Sequence, residues 1–236
     1  MNTKLHTERS RLFKKRDGST FVDKTEQLDS LQLKQNPPKV EDQLMLFCMK
    51  VSSKPDELLQ MEQLIPRVTD WNYFLTIVIE RGMGPICHKK LPLLSNHASV
   101  PEQVRSKLQQ AYYKTFSRSV TLYDYFRKVV SAFNQAGIDV VALKGIYLSE
   151  YLYQDVGLRQ FSDIDLLVKE ADGEKCLRIL EQLGYSPAVL SLSTFVQQHT
   201  EMVHFPPMVS HGVSIEIHTK LHKNSENYRI DLQAVW

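Results

Sequence analysis

Asp163-Ile164-Asp165-Leu166-Leu167-Val168 is the stretch on which the fold of this chain turns. It is apolar apart from its two acids, and in an extended strand successive side chains point to opposite faces. Asp163 and Asp165 therefore share one face, and Ile164 and Leu166 share the other. Aspartate is depleted in strands, and neighbouring carboxylates disfavour each other's charged form. An exposed strand end would tolerate such a pair. A hard divalent cation would make use of it, because Mg²⁺ takes carboxylate oxygens and keeps positions open for phosphate.

Toward the C-terminus, Ile215-Glu216-Ile217-His218 repeats the alternation. Glu216 and His218 fall on one face and the isoleucines on the other. If this strand lies beside residues 163–168, Glu216 becomes a third carboxylate, and three carboxylates can hold two metal ions. A solvent-facing strand residue is the plainer reading of Glu216. His218 reads as a partly buried histidine that hydrogen-bonds the site rather than as a ligand. His199 and His204, in QQHTEMVHF, carry no specific signal and read as surface or core residues.

Toward the N-terminus, IDVVAL is short, apolar and β-branched, and reads as a buried strand. It runs into Lys144-Gly145 and then the amphipathic IYLSEYLY. Backbone N–H groups at a helix start suit phosphate, and glycine permits close approach. Lys144 adds a compact positive charge. Arg159 precedes the aspartates and suits either an ion pair with them or a phosphate.

The period of the apolar pattern changes at Gly137. Before it, Leu44, Phe47, Cys48 and Val51 recur at helical spacing, Pro55 suits a first helical turn, and Asp70 and Gly82 bracket WNYFLTIVIER. A long helical pattern runs from Pro101 to Gly137 without internal glycine or proline. After it, strands at 138–143, 162–168, 202–205 and 213–218 alternate with helices, the second opening at Asp172 and stopping at Gly184. The expectation is an α+β protein: a flexible basic tail over 1–39, a helical region over 40–136, and a mixed β-sheet flanked by helices over 137–236.

Composition narrows the class. The formal net charge of +2 gives no global field for nucleic acid. Residues 1–40 hold nine Lys or Arg against five Asp or Glu, which leaves the remainder slightly acidic. The three cysteines, Cys48, Cys87 and Cys176, are too scattered for a disulfide framework or a zinc cluster and read as reduced buried thiols. The N-terminus lacks the apolar run of a secretory signal. No stretch approaches the roughly 20 apolar residues of a membrane helix. A cytoplasmic protein without membrane partners is expected.

The segments LKGIYLSEYLYQ, GLRQFSDIDLLV, LEQLGY and VSIEIHTKL, with DWNYFLTIVIERGMGPICHKKL ahead of them, resemble the uncharacterised nucleotidyltransferase family of bacteria. That family is a branch of the DNA polymerase beta-like superfamily. The same pattern is similar to the KGG…R-x-S-x-D-h-D signature of AbiEii-type nucleotidyltransferases. The resemblance implies Mg²⁺ or Mn²⁺ on Asp163, Asp165 and Glu216, with those three catalytic. It also implies an NTP, with ATP expected, bound by Lys144, Gly145, Arg159 and Ser162, with His218 beside them. The implied reaction moves a nucleoside monophosphate to an acceptor hydroxyl and releases pyrophosphate. With the only concentrated run of positive charge in the tail, an acceptor protein or small molecule is expected ahead of RNA. The superfamily's usual Gly-Ser pair is replaced here by Lys144-Gly145, and the chain stops at Trp236, soon after Glu216. A short member or fragment, acting as a catalytically weak or inactive nucleotide-binding module, is the alternative.

Overall fold

The structure, a computed structural model, describes residues 38–50, 54–188, 204–221 and 236. The basic tail expected over 1–39 lies outside these residues except for Pro38 and Lys39. The described residues form two compact units that interleave along the chain. One holds 38–50, 54–125 and 144–162; the other holds 126–143, 163–188, 204–221 and 236.

The first unit is helical. It contains α1 (Val40–Met49), α2 (Pro55–Leu64), α3 (Trp71–Glu80), α4 (Gly84–Lys90), the first part of α5 (Glu102–Gln135) and α6 (Lys144–Tyr151). The caps follow the sequence signals. Pro55 occupies the first turn of α2, and Glu57 reaches back to accept the Lys54 N–H at 3.0 Å. Asp70 accepts the Tyr73 N–H at 2.9 Å at the start of α3, and Gly82, with φ of 69°, turns the chain away after it. Leu44, Cys48, Met61, Phe74, Val78, Cys87 and Leu108 form a shared apolar core. All three cysteines are free and buried. Cys48 and Cys87 meet in this core, where a hydrogen bond between them and burial push the Cys87 thiol well up. Burial pushes Cys176, in the other unit, up to about 12. Such thiols are poor nucleophiles at neutral pH.

Glu41 is the one acid buried within this helical unit, 4% exposed on α1. Its Oε1 accepts the backbone N–H groups of Thr69 and Asp70, each at 3.0 Å, which fastens α1 to the entrance of α3. Burial acts to raise its carboxyl, but the hydrogen bonds from Asp70 and Thr69 outweigh it and the net position is below the ordinary value.

The second unit is a five-stranded mixed sheet with helices. Its strands are β1 (Val141–Ala142), β2 (Asp163–Leu167), β3 (Ser186–Pro187), β4 (Met208–Ser210) and β5 (Val213–His218), in the order β1-β2-β5-β4-β3. Only β2 and β5 run parallel; the other pairs are antiparallel. Ile164, Leu166, Ile215 and Ile217 are fully buried, as their alternation requires. From α7 (Gly173–Gln182), Cys176, Leu177 and Leu180 add to the apolar interior, as do Val129 and Phe133 from the end of α5.

Two element expectations change in detail. The strand read over 138–143 shrinks to two residues: Leu143 still donates its N–H across to Asp165 O, and the left-handed Lys144, φ 44°, then turns the chain into α6. The strand expected over 202–205 falls partly outside the described residues; His204 makes a single bridge to His218, and the paired strand is Met208–Ser210 instead. The reason is the turn at His211-Gly212. Both residues have positive φ, 49° and 73°, which is the backbone of a two-residue type I′ hairpin. That turn sets β4 directly ahead of β5.

Glu41→Gln should cost about 1 kcal/mol at pH 7, read by urea unfolding. The folded state holds the carboxyl below its ordinary value, so the wild-type advantage is complete above the ordinary carboxylate range. It fades as pH falls through the lower, folded value. The gap between wild type and Glu41→Gln should therefore narrow as the pH is lowered below the ordinary carboxylate range, and a gap that stays constant into acid would contradict this reading.

Candidate functional site

The parallel pairing of β2 with β5 sets Asp163 against Ser214, Asp165 against Glu216 and Leu167 against His218. Residues level with one another across a pair point the same way, so Asp163, Asp165, Ser214, Glu216 and His218 share one face. Asp165 is 1% exposed and His218 4%, while Glu216 stays half-buried. A buried carboxylate needs partners. His218 Nε2 lies 2.8 Å from Asp165 Oδ1 and 3.6 Å from Glu216 Oε2. With a proton on Nε2, His218 donates to Asp165; without one, a lone pair faces both carboxylates. One ligand atom from each of Asp165, Glu216 and His218 lies within 4.8 Å of the others. Asp163 stands two residues earlier on the same face, half-buried and outside that group.

A further histidine borders this cluster. The His204 ring lies 5.1 Å from the His218 ring, and the two residues bridge antiparallel strands. Phe205 anchors this neighbour by donating its N–H to Ile217 O at 2.8 Å. The Phe205 ring fills the space over Gly173, where an added Cβ would lie 2.4 Å from it. Sequence reading passed over His204. The signal was available in the juxtaposition of MVHF and VSIEIH, since pairing the two places one histidine beside the other.

Lys144, Gly145, Arg159 and Ser162 belong to the helical unit. Lys144 opens α6 with φ of 44°, a left-handed conformation that non-glycine residues adopt uncommonly. Gly145 is buried, and a Cβ there would stand 2.7 Å from Phe161 Cβ. Phe161 packing thus already requires glycine at this position. Arg159 donates Nη1 to Gln160 O at 3.3 Å, and the Ser162 carbonyl accepts Nη2 of Arg118 at 3.3 Å. The structure brings Asp165, Glu216 and His218 together, with Asp163 alongside.

Residues 67–236 match the family described as uncharacterised nucleotidyltransferase. Neither the curated proteins nor the solved structures contain a match to the chain. Among the described residues, no helix is long and apolar enough to cross a membrane.

Substitutions in β2 should separate its two faces. Asp165→Asn removes a charge beside Glu216 yet keeps an acceptor for His218, so the fold should persist with its melting temperature little changed. Ile164→Asn buries an unpaired amide at about 1–3 kcal/mol and forfeits about 2 kcal/mol of apolar burial. Chemical unfolding of both variants checks this; a harmless Ile164→Asn beside an unfolded Asp165→Asn would reverse the assignment of faces.

Proposed function

Since the chain belongs to the uncharacterised nucleotidyltransferase family, we propose that it is a Mg²⁺- or Mn²⁺-dependent enzyme of the cytoplasm that moves a nucleoside monophosphate from an NTP, ATP first, to an acceptor hydroxyl. The acceptor oxygen bonds to the α-phosphorus, the bond to the bridging oxygen of the β-phosphate breaks, and pyrophosphate leaves. The observation that carries this reading is the register of β2 on β5, which sets Asp165 level with Glu216 and brings His218 to both. This donor set fits a divalent cation, because Asp165 and Glu216 otherwise hold two negative charges level with each other, and His218 adds a nitrogen donor beside them. Asp163, Asp165 and Glu216 are the proposed holders of the metal. When bound, the cation supplies Lewis-acid stabilisation of the triphosphate and lowers the pKa of the acceptor hydroxyl.

The chain's own residues supply the rest. Asp165, locked by His218, offers its carboxylate in one orientation. Glu216, the more open of the facing acids, receives and orients the acceptor hydroxyl. The triphosphate role read for Lys144, Gly145, Arg159 and Ser162 remains part of this proposal and rests on their sequence pattern. An acceptor protein or small molecule is proposed ahead of RNA, because RNA binding draws on concentrated positive charge.

Incubation with each labelled NTP and two acceptor pools, total tRNA and a protein-and-metabolite extract, tests the proposal. Label should pass to the second pool and fall by at least about a hundredfold with Asp165→Asn or Glu216→Gln. Label on RNA would overturn the choice of acceptor. Absence of label on every pool, with NTP binding intact, would overturn turnover and leave a nucleotide-binding module.

A further inference from the structure

The cluster on β2 and β5 carries an inference about which metal it takes, and this inference rests on the metal-dependent reading above. We propose that His218 is an inner ligand, so that Asp165, Glu216 and His218 form a mixed nitrogen–oxygen site selecting a first-row transition cation over Mg²⁺. Two donors around one cation, each about 2.0–2.2 Å from it, stand about 3.0–3.5 Å apart at right-angled to tetrahedral geometry. The Nε2 distances to Asp165 Oδ1 and Glu216 Oε2, 2.8 Å and 3.6 Å, bracket that spacing. Nε2 is within hydrogen-bond distance of Asp165 and within ion-pair reach of Glu216, so one cation set between the two acids would also meet this nitrogen.

The surroundings hold it there. Asp165 and His218 are almost fully buried, while the Glu216 side chain keeps 18% exposure and provides the solvent-facing side. The His204 ring rests against His218 at 5.1 Å and limits where the imidazole can swing. On the strand pair, His218 takes the level of Leu167, so its backbone is fixed by the sheet, and Val168 donates its N–H to His218 O at 2.9 Å. Imidazole nitrogen suits Fe, Ni, Cu and Zn, whereas Mg²⁺ prefers oxygen; Mn²⁺, the weakest binder of the first-row series, is the most demanding probe of such a site. One imidazole among the three donors tips the site toward a transition cation, although both acids are hard ligands.

The test binds Mn²⁺ to the full chain without NTP, so that no phosphate contributes ligands. Free Mn²⁺ is counted by electron paramagnetic resonance, and the bound ion is examined by electron spin echo in protein with ¹⁴N- or ¹⁵N-histidine. The expected result is a histidine nitrogen coupling and a Mn²⁺ population that survives about a tenfold excess of Mg²⁺. His218→Asn should lose the coupling and at least about tenfold in Mn²⁺ affinity, whereas His204→Gln should keep the coupling. The echo signal of the wild-type chain decides the matter even if His218→Asn folds poorly. Mn²⁺ that binds without nitrogen coupling and exchanges evenly with Mg²⁺ would overturn this inference and leave the nucleotidyltransferase reading standing. No bound Mn²⁺, with or without NTP, would overturn both.

Discussion

Two acids held level on adjacent parallel strands, one of them wholly buried, form the constraint around which the sheet unit is arranged. Asp165 and Glu216 cannot drift apart without breaking the pairing of β2 with β5. That pairing is secured from behind by Ile164, Leu166, Ile215 and Ile217, all fully buried. Apolar burial at about 25 cal/mol per Å² makes such a face the firm part of a small sheet. The cost of keeping carboxylates together is thus met by contacts on the opposite face. His218 is the local partner: with a proton on Nε2 it donates to Asp165 in place of the water that burial removes, and without one it leaves a lone pair for a cation.

This arrangement also accounts for the neighbours. The bridge between His204 and His218 continues the ladder past the end of β4. Phe205 and Gly173 close over that continuation, since the first turn of α7 must lack a Cβ for the Phe205 ring to sit where it does. The tight His211-Gly212 turn holds β4 against β5. Substitution at Gly173 or Gly212 would therefore act on the cluster through strand placement, without touching any of its donor atoms.

The acidic strand was legible because period-two alternation is unambiguous when both polar positions are aspartate. The helices ahead of Gly137 were legible from caps, with Pro55, Asp70, Gly82 and Pro101 each at the boundary expected. The pairing of β2 beside β5 was foreseen only as a condition, since alternation gives faces but not neighbours. His218 was read as a histidine that hydrogen-bonds the site, and it lies buried 2.8 Å from Asp165; its nearness to Glu216 as well was not legible, because alternation does not say which strands will be neighbours. Of MVHF, Met202 and Val203 lie outside the described residues, while His204 and Phe205 pair with the end of β5; the strand at Met208–Ser210 went unread because the left-handed turn at His211-Gly212 that sets it against β5 carries little local signal. Gly145 drew attention as a place for close phosphate approach, yet its nearest demand comes from the Phe161 ring, a packing fact that sequence spacing does not contain.

The central claim is that the face carrying Asp165, Glu216 and His218 is completed by a divalent cation. Thermal unfolding of the full chain in EDTA, in Mg²⁺ and in Mn²⁺, each with and without NTP, measures it most directly. A cation that binds only the folded state adds about 2.7 kcal/mol at 100 times its Kd. The account predicts a rise in melting temperature with metal that is abolished in Asp165→Asn. A melting temperature unmoved by either cation, with or without NTP, would contradict it.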